Sequence, residues 1–261
     1  MVLALAAEGV ETIAADQDSD ALVALSEHAS NLFGPAHPVR TYTVDLSVVG
    51  AVDQLVEFAH GIAGGPDVLV LNAGIGQGAI RPDNWRNPIN FWDVSLVDWN
   101  RFVAINTTAP FLLARSFAPG MARKGWGRIV SVTTSLGTML KRGFLPYGPT
   151  KAALEAATAI MAEDLRDTGV TANVLVPGGV TNTGFIPDAA GFERERLLQP
   201  AVMAPPLRWL LSPAADQVSG VRIVAAHWRH PERAQSANSP AVQPIAWSQI
   251  ASQPQLPEQY Q

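Results

Sequence analysis

The sequence predicts an α/β fold, a doubly wound parallel sheet with helices on both faces. Short β-branched runs alternate with longer amphipathic stretches along most of the chain, which is the βαβα rhythm of a parallel sheet. The run Val68–Leu71 is apolar without interruption, as strands buried on both faces are. A length of 261 residues fits one large domain, and a hydrophobic content of 48% supplies a sizeable core.

Taken in order, Val10–Ala15 reads as a strand, and Ser19 can cap a helix through about Phe33, with Asp18 and Asp20 as capping and first-turn acids. Val39–Val44 is the next strand. Ser47 caps a helix carrying Val48, Val52, Leu55, Ala59 and Ile62 on one face. Val68–Leu71 follows, then a Trp-, Pro- and Asn-rich loop over 76–94. Helical pattern resumes near Ser95, with a break expected at Pro110, and runs to about Arg123. Ile129–Val132 is a strand, Pro149–Asp167 an Ala-rich helix, Thr171–Val176 a strand, 205–211 a helix and Val221–Ala226 the last strand.

Composition excludes several functions. A net charge of −5 leaves no electrostatic footprint for nucleic acid, and no Lys/Arg cluster marks a membrane surface. With no cysteine there is no disulfide, thiolate nucleophile or thiolate metal site. The first seven residues are apolar, but no basic region precedes them and Glu8 interrupts the run, which argues against a leader. No apolar run approaches the roughly 18 residues of a membrane helix. The expectation is a cytoplasmic protein with no metal, membrane or nucleic-acid partner.

Domain 1–230 carries this pattern, and a Pro/Gln/Ser-rich tail follows over 231–261. The tail has only Ile245, Trp247, Ile250 and Leu256 as large apolar anchors. It is either disordered or laid across a neighbouring subunit, and its composition favours disorder.

Four features lie in order on the scaffold: Asn72-Ala73-Gly74 after a buried strand, Asn106 within a helix, Tyr147-Gly-Pro-Thr-Lys151 opening a helix, and Pro177-Gly178-Gly179 after the following strand. Each alone is weak: NAG by itself is a turn with glycine at positive φ, and a Tyr/Lys pair is a surface pair. In this order, each at a strand end or helix start, they resemble the short-chain dehydrogenase/reductase family. The resemblance runs from about Val2 to Trp228 and implies a Rossmann-like fold.

Tyr147 and Lys151 are four apart, so they share one helix face. A free tyrosine is a poor base at neutral pH, and a neighbouring ammonium is expected to lower its pKa. Tyr147 can then take the alcohol proton in oxidation or return it in reduction. The resemblance implies that Lys151 also holds the nicotinamide ribose. It also places a hydroxyl thirteen residues before the tyrosine, which is Thr134, with Gly137 supporting that register and Ser135 as the alternative; Thr133 precedes both. Asn106 matches a family asparagine that holds a water in the proton relay; without the resemblance, a helix-bending structural role weighs equally.

Cofactor residues follow similarly. Asp16 follows the first visible strand, where a carboxylate can accept from both ribose hydroxyls and repel a 2′-phosphate, and no Arg or Lys stands beside it, so NAD is favoured over NADP. Asp45 ends the next strand, and its family counterpart contacts adenine. Asn72, Ala73, Gly74, Tyr147, Lys151, Pro177 and Gly178 complete the set with Val180 and Thr183, though Thr181 competes because the turn is spaced irregularly.

One family part is missing. Members begin with a strand and a TGxxxGxG turn, whereas MVLALAAEG reads as the last two turns of the helix after it. That turn supplies the N–H groups that bind pyrophosphate. In the family order 3-2-1-4-5 the first strand sits mid-sheet, so the strands at 10–15 and 39–44 lose their neighbour. Either the protein starts upstream of Met1 or cofactor binding has been lost. The presence of Tyr147, Lys151, Asn106 and Asp16 favours the first, and the chain as written is expected to bind NAD poorly or not at all.

Trp85, Trp92 and Trp99 are read as packing, the five His as bland, and Lys141-Arg142 and Arg194-Glu195-Arg196 as solvated faces. The resulting expectation is an NAD-dependent dehydrogenase for an alcohol or ketone framed by loops 76–94 and 184–204, with Phe185, Ile186, Pro187 and Phe192 suiting a partly apolar molecule. The rival is a silent scaffold. The resemblance implies a homodimer or homotetramer through helices 107–123 and 149–167, where Ala152, Ala153, Ala156 and Ala157 permit close approach.

Overall fold

In the computed structural model, which describes residues 1–62, 64–228 and 241–248, the sheet is built in two pieces. Strand β1 (Thr12–Asp16) pairs in parallel with β2 (Val39–Thr43). The second piece has β3 (Val68–Leu71), β4 (Gly127–Val132), β5 (Val170–Val176) and β6 (Val221–Val224) in parallel order, closed by an antiparallel β7 (Val242–Pro244). β1 and β3 are not paired, and a groove of about 620 Å³ runs between them, lined by Thr12–Asp16 on one side and Val68–Leu71 on the other. The break falls where the resemblance places a further strand.

Two apolar layers cover opposite faces of the larger sheet. Ile129 packs with Leu55 of α3 (Ala51–His60) and with Phe117 and Met121 of α5 (Ala109–Lys124). Its neighbour Val130 points the other way, toward Leu5 of α1 (Val2–Ala6) and Leu207 and Leu210 of α8 (Ala204–Leu210). All residues of β4 and β5 are buried although both strands carry polar residues, whereas in β3, the unbroken apolar run expected to be buried on both faces, Val68, Leu69 and Val70 are only partly buried beside the groove. No helix among the described residues is long and apolar enough to cross a membrane.

Element starts follow capping chemistry. Helix α2 (Ser19–Phe33) is capped by Asp18, whose carboxylate accepts from Ala21 N at 2.9 Å, so Ser19 is its first residue. Helix α3 begins after Gly50, not at Ser47; Ser47 is engaged by Asp45 instead, through its N–H at 2.8 Å and its hydroxyl at 2.7 Å. Ser95 caps α4 (Leu96–Val103) by accepting from Asp98 N at 3.0 Å. No break occurs at Pro110: a π turn over Ala104–Thr108 joins α4 to α5, and its wider hydrogen-bond spacing absorbs the N–H that proline lacks.

Part of the C-terminal region is folded onto the domain. Val242 pairs with Ile223, and Ala241 and Ile245 are buried. The reading of a loose tail therefore does not hold for 241–248. Ile250 and Leu256 lie outside the described residues.

Candidate active site

The site forms where β3, β4 and β5 end and where α7 (Tyr147–Asp164), α4 and the π turn meet them. Tyr147 is the first residue of α7 and is 7% exposed; Lys151, one turn on, is 3% exposed. Burial comes from ring neighbours: Phe144 lies 6.3 Å from the Tyr147 ring centroid and Phe185 5.7 Å. Trp85 extends this wall, packing edge-on to Phe144 at 5.0 Å and to Phe192 at 5.2 Å. Loops 76–94 and 184–204 thus meet over the phenol. Lys141 stacks its ammonium 3.9 Å from the Trp85 ring centre instead of standing in solvent alone.

The expected lowering of the Tyr147 pKa is not what the surroundings produce. Burial penalises the phenolate most and pushes the group up to about 12, while a hydrogen bond from the Thr134 side chain works in the opposite sense. Burial also lowers Lys151 to about 8. Lys151 Nζ donates to the main-chain oxygen of Val132 at 3.0 Å.

The three hydroxyls before α7 separate cleanly. Thr134 reaches Tyr147. Ser135 caps α6 (Leu136–Met139), accepting from Thr138 N at 3.2 Å and bonding the Thr138 hydroxyl at 2.6 Å. Thr133 is buried and donates to Glu155 Oε2 at 2.9 Å.

Asn106, fully buried in the π turn, uses its amide to tie three elements together. Its Oδ1 accepts from Ile75 N at 2.9 Å, and its Nδ2 donates to Ile75 O at 2.9 Å and to the Thr150 hydroxyl at 3.1 Å. This clamps the loop after β3 onto α7. Gly74 lies under the clamp: a Cβ there would stand 3.1 Å from both Asn106 Oδ1 and Lys151 Nζ. Gly74 is marked by this close approach and not by a positive φ, which corrects the turn expected at this position.

The cofactor set lies along the same strand ends. Asp16 is exposed at the end of β1, with its Oδ1 accepting from Asp18 N at 3.1 Å. Asp45 follows β2; hydrogen bonds from the Ser47 side chain and backbone hold its carboxyl below the usual range. Asn72 and Ala73 line the mouth of the groove beside Asp16. After β5, Pro177 leads to Gly178, whose φ of +93° and closeness to Val224 and Ala226 exclude a side chain. Val180 and Thr181 pair with Leu198, and the Thr181 hydroxyl is bonded to Gly179 O at 3.2 Å. Thr183 presents its carbonyl to Ile186 N and to Arg194.

Arg194, expected on a solvated face, closes this loop. Its guanidinium donates to Thr183 O at 3.1 Å, Ile186 O at 2.7 Å and Asp188 Oδ1 at 2.5 Å. Three buried polar residues near the site were also not anticipated: Gln77, Glu155 and Arg222. Glu155 alone had a signal in the sequence, being the one acid in line with Tyr147 and Lys151 at helical spacing on an Ala-rich helix.

A nicotinamide dinucleotide would suit these strand ends, where Asp16 presents an exposed carboxylate and Lys151 a buried cation. Helix α1 has five residues and no side-chain cap.

The sequence profile described as short chain dehydrogenase matches residues 1–189, and the chain belongs to that family. It is 33% identical over 177 residues to a D-beta-hydroxybutyrate dehydrogenase of Cupriavidus necator, covering 68% of this chain and 64% of that one. It is 27% identical over 230 residues to a 7alpha-hydroxysteroid dehydrogenase of Escherichia coli K12, covering 84% of each. Among solved structures, a putative NAD(P) dependent gluconate 5-dehydrogenase from Beutenbergia cavernae, described with bound NADP, superposes with a TM-score of 0.71 at 25% identity, covering 85% of this chain and 87% of that one. The chain thus spans slightly under two thirds of the hydroxybutyrate dehydrogenase.

Proposed function

We propose that this chain is an oxidoreductase that moves hydride between the nicotinamide of NAD and an alcohol or ketone, with Tyr147 exchanging the proton at the substrate oxygen. The observation that carries the reading is the buried Tyr147 one helical turn from the buried Lys151, whose Nζ donates to Val132 O at 3.0 Å. The bound dinucleotide would accept or supply the hydride. At neutral pH the Tyr147 phenol holds its proton and can donate it to a ketone oxygen, with the Thr134 hydroxyl polarising the same oxygen. In the reverse direction Tyr147 must lose its proton first, so oxidation gains from alkaline conditions. Lys151 places a titrating cation beside the site and orients ribose hydroxyls. Asn106 keeps the floor in place. Pro177, Gly178, Val180 and Thr183 border the nicotinamide, and Asn72, Ala73 and Asp45 border the adenosine half.

NAD is favoured on the carboxylate of Asp16, which would repel a 2′-phosphate. The bound NADP of the gluconate dehydrogenase relative makes this the point to test, by comparing kcat/KM for the two reduced dinucleotides. The aromatic wall of Trp85, Phe144, Phe185 and Phe192 supports a partly apolar substrate, which fits the steroid named for the Escherichia coli relative better than a small polar alcohol. Self-association through α5 and α7 as a homodimer or homotetramer is supported by exposed Phe111 and Ile160 on those helices.

The silent-scaffold reading has one observation in its favour: among the described strands, the facing edges of β1 and β3 are unpaired. NADH fluorescence titration separates the two, since a scaffold has no reason to bind the dinucleotide.

A further inference from the structure

The exit of β4 is held residue by residue. Ser131 Oγ accepts from the Thr158 hydroxyl at 2.7 Å, Val132 O accepts from Lys151 Nζ at 3.0 Å, and the Thr133 hydroxyl donates to Glu155 Oε2 at 2.9 Å. The next residue, Thr134, has its main-chain oxygen held by Arg222 Nη2. Tyr147, Lys151 and Glu155 recur every four residues along one face of α7, so the same stripe that carries the proton donor also grips the strand bearing its partner.

Arg222 and Glu155 are 2% and 0% exposed. Arg222 Nη1 is paired with Glu155 Oε2, and Glu155 Oε1 accepts from Ala246 N at 3.4 Å. Burying two opposite charges gains little stability over apolar residues of similar size, because desolvation offsets their attraction. Packing alone therefore gives no reason for an ion pair at this place. Its distinctive output is directional: the guanidinium is planar, and its second amino group is aimed at Thr134 O. Holding that carbonyl restricts the backbone rotation of Thr134, and with it the direction of its Cα–Cβ bond.

We infer that Arg222 and Glu155 form a positioning pair that sets the rotation of Thr134, and with it the hydrogen bond from the Thr134 hydroxyl to Tyr147. The inference rests on the assignment of Thr134 and Tyr147 made above. Neither Arg222 nor Glu155 touches substrate; both act through Thr134. Misplacing a reacting group by about 1 Å costs on the order of 100-fold in rate, so small rotations at Thr134 are expressed in kcat.

The test uses the full chain and two variants, with Thr134→Val as a reference. In the double variant Glu155→Met with Arg222→Met, both charges leave together, so no buried ion is stranded and folding is retained. In Arg222→Lys the charge pairing Glu155 remains, but the planar second donor to Thr134 is lost. Each is read by thermal unfolding, by kcat and KM separately, and by the pH profile of kcat in the oxidation direction. The expected result is a loss of about tenfold or more in kcat for both variants, with KM changed less than about threefold. The alkaline limb should move upward in pH, because Tyr147 loses the bond that favours its phenolate. If either variant folds yet keeps the native kcat and pH profile while Thr134→Val loses both, the positioning pair is refuted. If Thr134→Val is itself silent, the assignment of Thr134 fails instead, and the pair loses its object with it. Should the double variant not fold, Arg222→Lys decides alone.

Discussion

Lys151 Nζ donates to the carbonyl oxygen of Val132 at 3.0 Å, tying the second turn of α7 to the last residue of β4 in a buried setting. A cation so placed has lost most of its water, and its pKa falls to about 8 from an ordinary 10.5. Between those values the unfolded chain carries a proton that the folded chain has released, so folding stability rises with pH across that window. Tyr147 acts in the opposite sense above pH 10, since the folded phenol keeps its proton to about 12 while the unfolded one ionises. Urea unfolding at stepped pH should show stability increasing from pH 8 toward 10 and then falling. Lys151→Met should flatten the rise, which is worth about 3 kcal/mol at most.

Catalysis has its own pH signature. If Tyr147 is the proton carrier, alcohol oxidation climbs about tenfold per unit between pH 7 and 9, until another step limits it, whereas ketone reduction stays nearly flat there. Initial rates in both directions over that range check this. Equal slopes would point to a different proton carrier.

The hydroxyls of Thr134 and Ser135 can be told apart by substitution. Thr134→Val removes the donor to Tyr147 and should lower kcat by about 100-fold, with Thr134→Ser restoring most of it. Ser135→Ala loses the cap of α6, costing about 1 kcal/mol of stability, with kcat within about threefold of native. Steady-state kinetics and thermal unfolding on the three variants decide.

Gly74→Ala probes the floor of the site. The new methyl would stand 3.1 Å from Asn106 Oδ1 and Lys151 Nζ, tighter than ordinary contact, so one of them must give way. A loss of about 1–3 kcal/mol in stability together with weaker NADH binding is expected. Weaker binding with unchanged stability would mean that the loop moves instead.

Cofactor choice should follow Asp16. Replacing it by Ala removes the repulsion of a 2′-phosphate and one acceptor for ribose, so the ratio of kcat/KM for NADH over NADPH should fall by about tenfold or more. An unchanged ratio would place discrimination elsewhere.

Much of this was legible in the sequence because period and order are local. Val68–Leu71 showed its strand by an unbroken apolar run, Tyr147 and Lys151 stood out by spacing, and Asn106 by its place in the family resemblance. What escaped detection depended on three-dimensional surroundings. Burial by Phe144 and Phe185 reversed the expected direction of the Tyr147 pKa, which no spacing argument weighs. Arg222 lies 67 residues from its partner Glu155 and sits within an otherwise apolar strand, so its role emerges only when β6 and α7 are brought together. Ser47 looked like a helix cap because caps and Asx turns draw on the same residue types; only the position of Asp45 distinguishes them. The folding of 241–248 onto β6 was hidden by a polar composition that has few anchors besides Ile245.

The most direct test of the central claim is NADH-dependent reduction of a panel of partly apolar ketones by the 261-residue chain and by Tyr147→Phe. NADH binding is followed in parallel by the fluorescence of the reduced nicotinamide. The account predicts saturable though weak NADH binding to both proteins, turnover of at least one ketone by the native chain, and a loss of about 100-fold or more in kcat for Tyr147→Phe. Equal turnover by both proteins would contradict it and return the chain to the silent-scaffold reading.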